Sequence, residues 1–197
     1  MGTTRKVVMV GFPGAQVLDI TGPLSILAAA NERGPVYDIG LWAADAGPLR
    51  TTSGVSLVAD RSYRGARAAG IDTLLVAGGD GSRAACDDRD LVDFVRRAGS
   101  AARRVASICT GAFPLAAAGL LDGRRAATHW SATDELRRRF PAVEVDADAL
   151  FVRDGNVWTS AGVTAGMDLA LALVEDDLGH AVALDIAREH VLFMMRP

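Results

Sequence analysis

The thiol of Cys109 is the side chain whose setting in the sequence points most clearly to chemistry. Residues 105–108 predict a short buried strand, Cys109 follows directly, and residues 111–119 predict a helix of small residues. A side chain on such a turn stands clear of the sheet at the carboxyl edge of the strands, where open α/β sheets bind ligands. The helix N-terminus would favour the thiolate over the thiol. We therefore predict a functional thiol, with a small buried hydrophobe as the alternative.

Backbone N–H groups near Cys109 are candidates for an oxyanion site. Thr110 and Gly111 begin the predicted helix and could donate to a developing negative charge. Gly78 and Gly79 end the neighbouring predicted strand, residues 71–77, and glycines there let the backbone approach a ligand. Because glycine-rich turns are common in α/β proteins, this segment is either part of the site or an ordinary turn.

Asp19 and His129 are the side chains expected to assist the thiol. Asp19 follows the first predicted strand, residues 6–12, at the same carboxyl edge. Burial there would raise its pKa and let it hold a proton, whereas the alternative is helix capping together with Thr21. His129, in the segment A-T-H-W, is either a base for the thiol or a structural histidine bonded to backbone.

The other motifs predict a site without a metal or a cofactor. Cys86 lies in a polar stretch and is not expected to be catalytic. Cys and His residues do not occur at metal-ligand spacing. Neither a phosphate loop, G-x-x-x-x-G-K-[ST], nor a G-x-G-x-x-G after the first strand is present, so no dinucleotide cofactor is predicted.

Composition bounds the class of protein. The chain has 197 residues, 50% of them hydrophobic and 23% charged, which is typical of one globular domain spanning residues 1–197. Two cysteines do not make a disulfide framework. We see no signal peptide and no apolar stretch of the roughly 18 residues that a membrane helix needs. These features predict a cytoplasmic domain that does not bind a membrane.

Charge argues against direct nucleic-acid binding. The formal net charge is −3. The basic clusters, Arg96-Arg97, Arg103-Arg104 and residues 137–139, each lie on or next to a predicted helix beside acidic residues. We interpret them as solvated faces rather than as phosphate contacts.

The order of elements predicts the fold. Apolar runs rich in Val and Ile alternate with amphipathic stretches, as in a doubly wound, flavodoxin-like α/β domain with a mostly parallel sheet and helices on both faces. Gly22-Pro23 should break or kink the predicted helix 17–31 in its first turn. Hairpins are predicted within residues 47–60 and 151–160. The remaining predicted elements are strand 37–43 and helices 89–102, 131–140, 164–177 and 179–195.

Four segments together resemble the ThiJ/PfpI superfamily, relatives of the class I glutamine amidotransferases. They are the Gly78-Gly79 turn, S-I-C-T-G around Cys109, G-L-L-D-G-R-R-A-A-T-H-W and G-V-T-A-G-M-D-L-A-L. The resemblance extends from residue 7 to about residue 196 and implies a homodimer. It also assigns roles. Cys109 matches the reactive cysteine on a nucleophile elbow, Asp19 the acid that contacts the sulfur, the backbone around Gly79 and Thr110 the oxyanion site, and His129 a histidine near the pocket in several members.

Two branches share D-I-T-G-P, C-T-G and T-H-W with this chain. One is the N-terminal domain of AraC-type transcriptional regulators, to which the ending A-R-E-H-V-L-F-M-M-R-P is also similar, and the other is the isocyanide hydratases. We therefore expect a small-molecule or redox sensing, dimerising domain without a helix-turn-helix of its own. The alternatives are a hydratase-like lyase and a silent dimerisation domain. Protease activity is disfavoured because the protease-like members place a histidine where this chain has Thr110.

Overall fold

The structure, a computed structural model, describes residues 4–192. Its strands are β1 (Arg5–Val10), β2 (Tyr37–Ala43), β3 (Gly47–Arg50), β4 (Ser56–Ala59), β5 (Arg61–Ser62), β6 (Thr73–Val76), β7 (Arg104–Ile108), β8 (Arg125–Ala126), β9 (Glu144–Val145), β10 (Phe151–Asp154) and β11 (Val157–Ser160). Seven of them form one sheet in the order β10-β11-β7-β6-β1-β2-β5. All neighbours in it are parallel except β10 and β11, which form an antiparallel hairpin.

Helices cover both faces of this sheet. They are α1 (Val17–Ala30), α2 (Ser82–Ala85), α3 (Arg89–Ala101), α4 (Ala112–Ala117), α5 (Thr133–Arg139), α6 (Thr164–Leu178) and α7 (His180–Glu189). Helices α1, α6 and α7 pack together, and α3 packs with α4. The two groups lie on opposite faces, because Gly99 of α3 lies against Val105 of β7 while Gly166 of α6 lies against Ile108. The predicted doubly wound, mostly parallel α/β fold is confirmed.

Local sequence explains the central elements. All four residues of β6 and all five of β7 are buried, as apolar strands covered on both faces must be. Helix α3 begins at the Asp88 cap, whose side chain accepts from the Asp90 and Leu91 amides. Within residues 4–192, no helix is both long and apolar enough to cross a membrane.

Both predicted hairpins are present. Strands β3 and β4 form one of them as a separate antiparallel pair, and β10 and β11 form the other at the edge of the main sheet. The short elements β5, α2, β8 and β9 have two to four residues each and are too brief for a periodic signal. Helix α7 ends at Glu189, and the last residues of the predicted helix 179–195 lie outside the described residues.

The break predicted at Gly22-Pro23 does not occur. Helix α1 is continuous from Val17 to Ala30 with Pro23 inside it. Packing against α6 explains this, because a Cβ built on Gly22 would lie 3.0 Å from Met167, and one built on Gly166 would lie 3.3 Å from Pro23. Tertiary contacts along this helix pair override the local cost of the proline.

The prediction of a solvated basic face is wrong for Arg104. Its side chain is 2% exposed and bonds to Asp177, itself 1% exposed, and to Asp176 at 3.1 Å. Arg103 bridges Asp72 at 2.8 Å and Asp177 at 2.9 Å. This buried ion cluster fastens the C-terminal end of α6 to the starts of β6 and β7, at the opposite end of the sheet from Cys109. A guanidinium is buried here because carboxylates surround it.

Candidate functional site

Cys109 occupies the tight turn between β7 and the helix that follows. Ile108 is extended, Cys109 has a φ of +56°, and residues Cys109–Gly111 form a single 3-10 turn that leads into α4. The left-handed conformation costs a residue other than glycine about 1–2 kcal/mol. A strained turn of this kind is a nucleophile elbow, and the placement predicted for Cys109 is confirmed.

Two glycines allow the chain to close around the elbow. A Cβ on Gly162 would lie 2.1 Å from the Cys109 Cβ, and a Cβ on Gly78 would lie 2.7 Å from both Cys109 Cβ and Asp19 Oδ2. No side chain fits at either position without displacing backbone. Gly78 therefore serves the site by its small size, between the acid and the thiol.

Two threonines hold the elbow in place. The Thr128 hydroxyl donates to the Cys109 carbonyl at 2.9 Å. The Thr110 hydroxyl donates to the Gly79 carbonyl at 3.0 Å and accepts from the Gly79 N–H at 2.9 Å. The Gly79 N–H is thus engaged by Thr110, so an oxyanion would have to compete for it. Gly111 packs on β6, where a Cβ would lie 2.2 Å from the Val76 carbonyl oxygen.

Asp19 lies directly behind the thiol and is completely buried. Its Oδ1 accepts a hydrogen bond of 2.8 Å from the Val163 amide. Its Oδ2 has no hydrogen bond of standard geometry and faces the Cys109 thiol and the Gly78 backbone. Burial raises the pKa of Asp19, as predicted, and the bonds that the carboxylate accepts oppose the rise.

Asp19 does not cap a helix together with Thr21. The Gln16 side chain caps α1 by accepting from the Leu18 amide. The Thr21 hydroxyl donates to the Val17 carbonyl within the helix. The carboxyl group of Asp19 is directed instead toward the turn that precedes α6, so the capping alternative is wrong.

The expectation that Cys109 favours the thiolate at neutral pH is wrong. Burial raises the pKa of the thiol to about 12, and the Asp19 carboxylate adds to the rise. The Thr110 amide lowers it, but the 3-10 turn and the six-residue α4 do not offset the burial. Burial thus raises the pKa of both Asp19 and Cys109, and a carboxylate and a thiolate this close together repel each other.

A cavity of about 380 Å³ opens over Cys109. Four of the residues predicted from the sequence line it, namely Cys109, Gly79, Thr110 and His129. The other three, Asp19, Gly78 and Gly111, lie beneath it and support the elbow. Sequence reasoning did not select the remaining lining residues, which are Gln16, Thr52, Asp80, Arg83, Ser131 and Val163. Most of these carry hydrogen-bonding or charged side chains.

Neighbouring side chains orient His129 at the wall of this cavity. Its Nδ1 lies 2.8 Å from the Ser131 hydroxyl, and its ring packs 5.6 Å from the ring of Trp130, which is 75% exposed. Because Ser131 occupies Nδ1, the other ring nitrogen is the one available to a ligand. Ser131 follows His129 by two positions in the sequence. This spacing could have identified it as a polar neighbour of the histidine.

The fold and the site together define an α/β protein with a cysteine on a nucleophile elbow and a buried carboxyl group beside its thiol. The chain belongs to the DJ-1/PfpI family, whose model matches residues 5–176. The family predicted from the sequence is therefore confirmed. A solved ThiJ/PfpI family protein from Pseudomonas syringae is 30% identical, with a TM-score of 0.87 over 99% of this chain and 77% of that one.

Relatives of both predicted kinds are similar to this chain. It is 38% identical over 168 residues to the isonitrile hydratase of Pseudomonas putida, which is 85% of this chain and 70% of the hydratase. It is 33% identical over 186 residues to the HTH-type transcriptional regulator CdhR of Pseudomonas aeruginosa. That match covers 94% of this chain but 54% of the regulator, so the chain spans about half the regulator's length.

Proposed function

We propose that this chain is the ligand-sensing domain of a transcriptional regulator of the AraC type, and that a small polar molecule occupies the cavity over Cys109. The polar lining of that cavity carries the proposal. Gln16, Thr52 and Ser131 offer neutral donors and acceptors, and Asp80 and Arg83 offer charges. A concave site with several convergent polar groups is suited to hold and orient a small molecule.

The protonation of Cys109 supports binding rather than redox sensing. A cysteine that senses oxidants is usually a thiolate at neutral pH and accessible to solvent. Here the thiol is 7% exposed and its pKa is raised to about 12. In our proposal Cys109 contacts the bound molecule as a thiol. Asp19 is buried behind the thiol and does not contact that molecule.

Thermal unfolding in the presence of small metabolites tests this proposal. A molecule that binds only the folded chain raises the melting temperature with its concentration. We expect such a rise in the wild-type chain and a smaller one in Gln16→Ala, whose side chain lines the cavity. The control is Arg64→Ala, which changes an exposed residue that does not line the cavity. If no compound shifts the transition, the proposal is contradicted.

A second candidate function is the hydration of an isocyanide to an N-formamide. The contact between Asp19 and Cys109 favours it, together with the 38% identity to a protein named isonitrile hydratase. Asp19 as the carboxylate is placed to take the thiol proton at the moment of attack, which activates a thiol that is otherwise protonated. No cofactor enters this chemistry.

The reaction balances with water alone. The Cys109 sulfur bonds to the isocyanide carbon, the thiol proton passes through Asp19 to that carbon, and a thioimidate forms. Water then adds to the same carbon, the C–S bond breaks, and the sulfur regains a proton. The product is the N-formamide, and the enzyme returns to its starting state.

Turnover separates the two candidates. We expect the wild-type chain to leave an aliphatic isocyanide unchanged when the mixture is followed by NMR over hours. Formamide production that is lost in Cys109→Ser and in Asp19→Asn would establish the hydratase instead. Formamide production that persists in Cys109→Ser would place the reaction elsewhere.

We further propose a cytoplasmic homodimer. The family resemblance supports the dimer, and two free cysteines fit a reducing compartment. The acidic balance supports the proposal that these residues do not contact nucleic acid themselves. Light scattering is expected to give twice the chain mass, and a monomer mass at micromolar concentration would contradict the dimer.

A further inference from the structure

Arg83 is the one cationic side chain, among the described residues, that lines the cavity over Cys109. It lies just after the Gly79 turn, in the short helix α2. It takes no part in the chemistry proposed for Cys109 and Asp19. Its surroundings show how it is held and which of its donors are free.

Glu135 and Phe113 fix the guanidinium group. The Arg83 Nη2 lies 2.6 Å from Glu135 Oε2, and the Nε donates to the same oxygen at 3.2 Å. The guanidinium carbon stands 4.5 Å from the centre of the Phe113 ring, a cation–π contact. Two hydrogen bonds to one carboxylate and a ring against its face leave the group little freedom to turn.

Part of the hydrogen-bonding capacity of Arg83 remains unused. A guanidinium has five N–H donors. Two are directed to Glu135, and a weak contact of 3.3 Å joins Nη1 to the Ser82 hydroxyl. Two N–H groups, one on each terminal nitrogen, are thus left for a ligand. About a third of the side chain is exposed.

On this side of the cavity the positive charges of Arg83 and Arg139 outnumber the negative charge of Glu135. Glu135 is shared, because Arg139 lies 3.6 Å from its other oxygen, so two guanidinium groups face one carboxylate. The pKa of Glu135 is lowered, chiefly by Arg83, and it stays ionised at neutral pH. Asp80, which lines the cavity and is exposed, carries an opposing charge.

We propose that Arg83 binds a carboxylate group of the ligand and thereby selects small carboxylates over neutral molecules of the same shape. This inference rests on the proposed function, since it names the ligand class for the same cavity. The carboxylate would take the free N–H groups of Arg83, and the rest of the molecule would lie over Cys109 and meet Gln16 and Thr52. Glu135 is then a positioning residue, which aims the guanidinium without touching the ligand.

Iodoacetate and iodoacetamide test the inference directly. The two reagents place the same carbon and the same iodide leaving group at a thiol, and only iodoacetate carries a carboxylate. The measured quantity is the ratio of their alkylation rates at Cys109, taken by mass spectrometry at pH 9. Cys86, which does not line the cavity, provides the internal reference in the same protein.

We expect Arg83→Gln to lower the iodoacetate-to-iodoacetamide ratio at Cys109 by about tenfold or more, since a hydrogen bond to a charged group contributes roughly 1.5 kcal/mol or more and about 1.4 kcal/mol is tenfold. The ratio at Cys86 should not change. Arg64→Gln, which removes an exposed arginine paired with Asp45 and Asp90, is the matched control and should leave both ratios unchanged. Glu135→Gln should lower the ratio by a smaller factor than Arg83→Gln.

An equal ratio in the wild type and in Arg83→Gln would overturn the inference. If neither reagent reaches Cys109, butyrate and butyramide are compared by thermal unfolding, and equal shifts in the wild type overturn it as well. Stabilisation by neutral compounds without a preference for carboxylates would overturn the role of Arg83 and leave the proposed function standing. The absence of any stabilising compound would contradict both.

Discussion

The Asp19 carboxyl group and the Val163 amide, 144 residues apart in the chain, form a hydrogen bond of 2.8 Å beneath Cys109. The bond joins the first turn of α1 to the turn before α6, where Val163 has a φ of +51°. A valine with a positive φ is strained, and the bond to Asp19 helps to hold it. The two residues thus support the floor of the cavity from opposite sides, and the acid is fixed where it faces the thiol.

Asp19→Asn is expected to lower the pKa of Cys109. The carboxylate raises the pKa of the thiol, so a neutral amide of nearly the same shape removes that contribution while burial remains. The pH dependence of iodoacetamide labelling measures the change, with Asp80→Asn as a control at the cavity rim. An unchanged curve would mean that the groups do not interact. A higher pKa would show that Asp19 holds the proton and donates it to a thiolate.

Gly162→Ala is expected to destabilise the fold far more than Gly179→Ala. Both glycines have a positive φ, +97° and +87°, so both substitutions incur the strain of about 1–2 kcal/mol. The new Cβ at Gly162 would collide with Cys109, whereas a new Cβ at Gly179 would have no atom within 4 Å. Urea unfolding should show an additional loss of about 2 kcal/mol or more for Gly162→Ala. Equal losses would contradict the close packing of the elbow.

Thr110→Val is expected to cost about 1–3 kcal/mol of stability, because it leaves the Gly79 N–H and carbonyl without their hydroxyl partner. Thr110→Ser keeps the hydroxyl and should lose much less. Valine frees the Gly79 N–H from the hydroxyl, whereas serine does not. If the freed N–H then acts as an oxyanion donor, iodoacetamide labelling of Cys109 should change in Thr110→Val and not in Thr110→Ser. Indistinguishable serine and valine variants in urea unfolding would show that these hydrogen bonds do not hold the turn.

Arg104→Met is expected to lower the free energy of unfolding by about 3 kcal/mol, since it removes one member of a buried ion cluster and leaves Asp177 with fewer partners. Arg64→Met, which breaks an exposed pair, is the comparison and should change the free energy far less. The same unfolding transitions measure both. A stable Arg104→Met variant would show that apolar packing replaces the cluster at no cost.

Short-range patterns were sufficient to predict much of the fold and part of the site. The apolar run before Cys109 and the small residues after it specify the elbow locally, and the alternation of strands and helices specifies the doubly wound sheet. Arg104 shows the limit of such patterns. It stands next to Arg103 in a polar-looking dipeptide, and only the approach of α6 supplies the carboxylates that bury it.

The lining of the cavity depends on long-range contacts in the same way. Gln16, Thr52 and Arg83 come from separate segments, and no spacing in a single sequence relates them. The protonation of Cys109 was predicted wrongly for a related reason. The helix after it was visible in the sequence, but the depth of burial and the contact with Asp19 were not, and these two determine the pKa.

Competition for Cys109 tests whether the cavity over this thiol binds a small molecule without converting it. Labelling of Cys109 at pH 9 is measured with candidate small molecules, including carboxylates and isocyanides, while NMR follows each compound. We expect a compound to slow labelling of Cys109, to leave Cys86 unaffected and to be recovered unchanged. Consumption of the protecting compound would contradict this expectation and make the chain an enzyme. Labelling that no compound slows would leave Cys109 as a packing residue.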